Sequence, residues 1–95
     1  MPAWFYMLRL TSGVLYTGAT TDLERRCREH AEGVACRTTR RDPPEALVYS
    51  EEYSDFKLAR RREAQVKRWT RAKKEALVAG DGATLKRLAR RRRRS

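Results

Sequence analysis

The sequence predicts a small α+β domain, a three-stranded antiparallel sheet flanked by helices in the order β-β-α-β-α-α. Three observations carry this. Two apolar, aromatic-rich runs are separated only by Thr11-Ser12-Gly13, the pattern of a hairpin. A helix-start pattern follows the second run at once. A third run, ending in Tyr49 and Tyr53, then precedes two basic stretches of helical period. At 95 residues there is room for one modest core.

In the hairpin, AWFYMLRL (residues 3–10) forms the first strand and VLYTGA (14–19) the second. With the turn centred on Ser12, Tyr6 falls opposite Gly18 and Tyr16 opposite Leu8. Both tyrosines then lie on one face, because side chains alternate with period two. Residues 21–24, TDLE, read as a capping box in which Thr21 caps the first turn and Glu24 reaches back to it. The helix runs to about Glu32 and stops at Gly33. Leu23, Cys27 and Ala31 form its apolar stripe, with Arg26 and His30 along the edge, while Arg25 and Arg28 point elsewhere.

Residues 33–45, closed by Pro43 and Pro44, read as a loop. ALVYSEEY (46–53) is the third strand, with Leu47, Tyr49 and Glu51 alternating against Val48 and Ser50. Asp55 caps a helix to about Trp69, and a second helix runs from Thr70 or Arg71 to Ala79. Residues 79–82, AGDG, break the chain. Beyond them a basic tail, residues 81–95, has at most a turn or two of helix and follows a domain of residues 1–80.

Charge is distributed unevenly. Residues 1–54 carry 7 Lys and Arg against 8 Asp and Glu, whereas residues 55–95 carry 16 against 4. The whole excess lies in the C-terminal part, as expected of a domain with one polyanion-binding flank. Nucleic acid is the expected partner: DNA, or RNA in a ribosome-associated role for which RLARRRRRS (87–95) argues. Two cysteines, Cys27 and Cys36, make no disulfide framework, and with His30 they lack a convincing fourth zinc ligand. The N-terminal run has no basic n-region, and Arg9 interrupts it. It therefore matches neither a signal peptide nor a membrane span, and a reducing cytoplasm is expected.

One carboxylate stands out. Lys57 to Lys74 hold nine Lys or Arg residues and one acid, Glu63. With Phe56, Ala59, Val66 and Thr70 it forms a stripe of helical period facing the sheet. Glu63 is either an ion-pair partner of Arg26 or Lys67, or a metal ligand. Mg²⁺ is commonly held by one or two carboxylates, with water and phosphate completing its shell.

Together these residues resemble the GIY-YIG endonuclease family. WFY (4–6) and YTG (16–18) are similar to the two halves of its signature, with the two tyrosines ten residues apart. Arg26 matches the family's catalytic arginine, His30 stands where the family has His or Tyr, and Glu63 matches its metal-binding glutamate. The resemblance covers about residues 4–70 and is nearest the small stand-alone bacterial branch, similar to the nuclease domain at the N-terminus of the bacterial excinuclease subunit. Three departures are visible: Trp4 and Phe5 precede Tyr6 without the opening glycine, Ala19 replaces a frequent Lys, and the chain contains no Asn. Each missing donor at a phosphoryl site can cost about a hundredfold in rate.

The resemblance implies metal-dependent hydrolysis of DNA phosphodiester bonds, structure-selective with little sequence preference, with one Mg²⁺ or Mn²⁺ on Glu63. It makes Arg26 the phosphate clamp. Tyr16 is the favoured base or water-positioner, Tyr6 a hydrogen-bonding partner of nucleophile or phosphate, and His30 a relay. Gly18 gives space for the scissile phosphate, and the surrounding cations are expected to lower the tyrosine pKa values. Arg25, Arg60, Lys67, Arg68, Arg71 and Lys73 are the expected backbone-phosphate contacts. A catalytically weak nucleic-acid-binding adaptor is the alternative.

Overall fold

A computed structural model describes the backbone of residues 1–94 and the side chains of residues 1–88. Strands β1 (Ala3–Leu10), β2 (Leu15–Thr20) and β3 (Pro44–Tyr53) form one antiparallel sheet in the order β2-β1-β3. The hairpin has the expected register, Tyr6 opposite Gly18 and Leu8 opposite Tyr16. Its turn closes through Leu10 N–H to the Val14 carbonyl and Gly13 N–H to the Leu10 carbonyl, with Gly13 at φ +92°. Only glycine takes that conformation without strain.

Central β1 is covered on both faces, which explains its nearly unbroken apolar sequence. Phe5 and Met7 pack against Val66 and Leu77 on one side. Tyr6, Leu8 and Leu10 pack against Tyr16, Leu23 and Cys27 on the other. Helix α1 (Leu23–Ala31) covers the tyrosine face, while α3 (Phe56–Lys67) and α4 (Arg71–Ala79) belong to the Phe5 side. Asp55 and Thr70 cap α3 and α4 by accepting from Leu58 N–H and Lys73 N–H, each worth about 1 kcal/mol.

Several expectations are corrected. The α1 cap is Asp22, not Thr21: its backbone is extended and its carboxylate accepts from Arg25 N–H, while Thr20 Oγ1 accepts from Asp22 N–H. Ala31 is exposed and His30 is buried, because α1 turns its C-terminal His inward over the sheet. Residues 33–45 are not all loop. They contain a short helix, α2 (Arg37–Arg41), so the order gains a helix between β2 and β3.

Strand β3 does not alternate as expected. Register shifts opposite Met7/Leu8 and Arg9/Leu10 make Leu47 the partner of Leu8 while Tyr49 pairs with Met7. Bulges of this kind place consecutive residues on one side, and both Val48 and Tyr49 pack on the Phe5 cluster while Leu47 is exposed. In α3, Ala59 and Val66 are buried as expected, but Phe56 is exposed at one end and Thr70 leaves the stripe to cap α4.

Residues 82–94 are one helix, α5 (Gly82–Arg94), rather than a turn or two, and Leu85 packs on the Phe5 cluster. Gly80 ends α4 at φ +71° and Asp81 caps α5 through Thr84 N–H. The side chains of residues 89–95, the end of the expected basic tail, lie outside those described. Among the described residues no helix is long and apolar enough to cross a membrane.

Candidate active site

The site grows from one cross-strand pair. Because Gly18 faces Tyr6 and has no side chain, the Tyr6 ring lies across it toward β2 and α1. There the Tyr6 hydroxyl meets His30 Nε2 at 2.8 Å, and both residues are only 1% exposed. His30 Nδ1 bonds Thr39 Oγ1 on α2, also at 2.8 Å. The imidazole stands edge-on to both tyrosine rings, 5.8 Å from Tyr6 and 5.1 Å from Tyr16. Cys36 Sγ donates to the Tyr16 hydroxyl at 3.5 Å and lies 3.4 Å from Thr39 Oγ1.

Arg26, one helical turn before His30, places its charge near Tyr6. Its Nη1 donates to Glu29 Oε1 at 3.2 Å, but its buried Nε has no acceptor. A buried, unpaired donor on a cation is costly. Arg26 also lines a polar cleft with Thr20, Thr21, Asp22, Arg25 and Glu29. Glu63 stands on α3. Its side chain is 19% exposed, it pairs with Arg60 Nε at 3.4 Å rather than with Arg26 or Lys67, and its charge is felt at Tyr6.

What holds α3 in place is a neighbour of Glu63. Arg62 forks onto Glu51 at 3.0 and 3.2 Å, while Tyr49 and Tyr53 donate their hydroxyls to the same carboxylate. The other side of the Arg62 guanidinium lies over Trp69. A carboxylate with four donors is a firm anchor, and it ties α3 to β3.

The electrostatics correct one expectation. Burial, which disfavours the charged form, pushes Tyr6 up to about 12 and outweighs the opposing pull of Arg26. Burial also raises Tyr16. Neither tyrosine is a resting phenolate. His30 is lowered, first by burial and then by the Arg26 charge, so it is neutral. Burial alone would raise Cys36, but hydrogen bonds from Thr39 and the Thr38 backbone leave it lowered.

Residues 2–76 match the family model of the GIY-YIG catalytic domain. The chain belongs to the GIY-YIG family. Its relatives include a UPF0213 protein of Klebsiella pneumoniae, 42% identical over 84% of this chain and 76% of the relative. The UPF0213 protein YhbQ of Escherichia coli K12 is 42% identical over 83% of this chain and 80% of its own length. A UPF0213 protein of Natronomonas pharaonis is 41% identical over 82% and 92%. The solution NMR structure of the UPF0213 protein BH0048 from Bacillus halodurans is similar in fold, with a TM-score of 0.55 and 40% identity, covering 86% of this chain and 87% of that one.

In this GIY-YIG domain Tyr6, Tyr16 and His30 meet, with the Arg26 charge beside Tyr6, while Glu63 stands on α3 paired with Arg60. Thr39 and Cys36 were missed, because nothing in the sequence marked residues 37–41 as a helix folded over the site. The expected phosphate contacts divide into two sets. Lys67 and Arg68 are exposed near the end of α3. Arg25 pairs with Glu29, Arg60 with Glu63, Arg71 with Glu75 and the Gly13 carbonyl, and Lys73 lies 4.1 Å from the Trp69 ring. Glu75 serves the scaffold, bound by both Arg9 Nη atoms at 2.5 and 2.7 Å.

Proposed function

We propose that this GIY-YIG chain is a divalent-metal-dependent endonuclease that hydrolyses DNA phosphodiester bonds, selecting by DNA structure rather than by sequence. The observation that carries the reading is Arg26: a cation with an unsatisfied buried Nε, beside an open cleft, flanked by Tyr6, Tyr16, His30 and Glu63. A phosphate oxygen is the acceptor that such a guanidinium lacks, and charge that develops in the transition state strengthens the bond.

Glu63 would hold the metal. A single carboxylate suits an ion such as Mg²⁺ or Mn²⁺ that would take its other ligands from substrate and water. Such an ion supplies positive charge at the phosphate and the leaving 3′-oxygen. Tyr16, half-buried where Tyr6 is sealed, is the tyrosine that touches the attacking water and positions it. Tyr6 and His30 support it from inside, and Arg26 binds the phosphate. The water oxygen bonds to phosphorus as the P–O3′ bond breaks. The proton shed by water balances the one taken up by the 3′-oxygen.

Lys67 and Arg68 extend the positive surface away from the cleft and contact backbone phosphates, which carry no base information. The test is incubation of the purified protein with branched, flapped, single- and double-stranded DNA, and with RNA, in Mg²⁺, Mn²⁺ or EDTA. Cleavage is expected with metal only, reduced about 10²–10³-fold in Arg26→Ala and abolished in Glu63→Ala. Binding without cleavage on every substrate, with both variants indistinguishable from the parent, overturns the reading and leaves a nucleic-acid-binding adaptor. RNA cleavage in place of DNA cleavage overturns the choice of polymer.

A further inference from the structure

The two tyrosines are joined through α2 by an unbroken set of contacts: Tyr6 Oη to His30 Nε2, His30 Nδ1 to Thr39 Oγ1, Thr39 Oγ1 to Cys36 Sγ, and Cys36 Sγ to Tyr16 Oη. Each imidazole nitrogen and each hydroxyl can donate or accept, so the chain has two possible proton orders. One end selects between them. Cys36 donates to the Tyr16 hydroxyl, so its sulfur accepts from Thr39, Thr39 Oγ1 accepts from His30 Nδ1–H, and His30 Nε2 accepts from the Tyr6 hydroxyl. Tyr16 is left with its proton pointing out of the chain.

We infer that Thr39 and Cys36 are positioning residues, which lock His30 as the Nδ1–H tautomer and turn the Tyr16 hydroxyl proton outward as a hydrogen-bond donor to an oxygen of the bound water or phosphate. The inference rests on the reading of Tyr16 as a group that touches the substrate. Thr39 is 1% exposed and can reach no solvent, so its hydroxyl has no role but the two bonds it makes. A one-way chain of this kind polarises its last member, and the Arg26 charge is felt at its Tyr6 end. No proton is transferred along it; its effect is orientation. In this role Tyr16 presents a donor and is no phenolate base, in keeping with its raised pKa.

Two readouts test this, one without activity. Long-range ¹H–¹⁵N spectra of the folded protein at neutral pH report the tautomer of the chain's only histidine. The Nδ1–H form is expected in the parent and in Thr39→Ser, and a mixture of tautomers in Thr39→Val. In cleavage assays Thr39→Val and Cys36→Ala lower kcat at least tenfold with KM within about twofold, while Thr39→Ser and Cys36→Ser, which keep a donor and acceptor, recover most of the rate. An Nε2–H tautomer in the parent overturns the inference, and so does Thr39→Val with unchanged tautomer and kcat. A parent protein that cleaves nothing defeats the proposed nuclease function and the outward-donor role of Tyr16. The spectra still decide the proton order in that case.

Discussion

The Tyr6 ring is packed directly over Gly18: a Cβ on Gly18 would lie 2.4 Å from both Cζ and Oη of Tyr6 and 2.9 Å from its Cε1. The ring cannot retreat, because His30 holds its hydroxyl from the other side. Gly18→Ala therefore expels Tyr6 from its place and breaks the Tyr6–His30 bond. A loss of about 1–3 kcal/mol is expected from overpacking, measured by denaturant unfolding, together with loss of the single His30 tautomer. Gly82→Ala is the control. Nothing lies within 4 Å of a Cβ there, and stability stays unchanged or rises. Equal stability of Gly18→Ala and the parent would contradict the packing described.

His30 makes stability fall with pH in a window of its own. Its folded pKa lies below the ordinary 6.5, chiefly from burial and then from the Arg26 charge, while Glu29 opposes weakly. Below pH 6.5 the unfolded chain takes up a proton that the folded one refuses. The stability is therefore present above 6.5 and is lost as pH falls through the folded value, at no more than about 1.4 kcal/mol per pH unit. Glu51 and Glu75, both lowered from 4.5, add a second loss only below that value. Melting temperatures between pH 8 and 2 should show two steps, the upper one missing in His30→Asn. A single step below pH 4.5 would show that His30 is not held neutral by the fold.

Salt dependence should separate free cations from those already spoken for. Each backbone phosphate neutralised contributes a slope of roughly −0.9 in log K against log salt. Lys67→Ala and Arg68→Ala are each expected to reduce the slope by about 1. Arg60→Ala and Arg71→Ala change it less, since those guanidinium groups are paired with Glu63 and with Glu75 and Gly13. Titrations of a fluorescent duplex at several salt concentrations measure this. Equal effects at all four positions would show that binding breaks the internal pairs.

Local information determined most of the scaffold. Thr11-Ser12-Gly13 fixed the hairpin register and with it the Tyr6–Gly18 and Leu8–Tyr16 pairs, because a short turn leaves two strands one way to meet. Asp55 and Thr70 marked the starts of α3 and α4, because caps act on amides only two or three residues away. The hairpin register and the helix that follows it also bring Tyr6, Tyr16 and His30 together. What only the tertiary structure decided depends on contacts between distant segments. The bulges in β3 answer to Met7 and Arg9 across the sheet. The partner of Glu63 proved to be Arg60, and the raised tyrosine pKa values come from burial that no charge count reveals. The helix α2 is five residues long, too short to hold itself together in water. It brings Thr39 to His30 and Cys36 to Tyr16, and long-range packing of that kind leaves no periodic trace in a sequence.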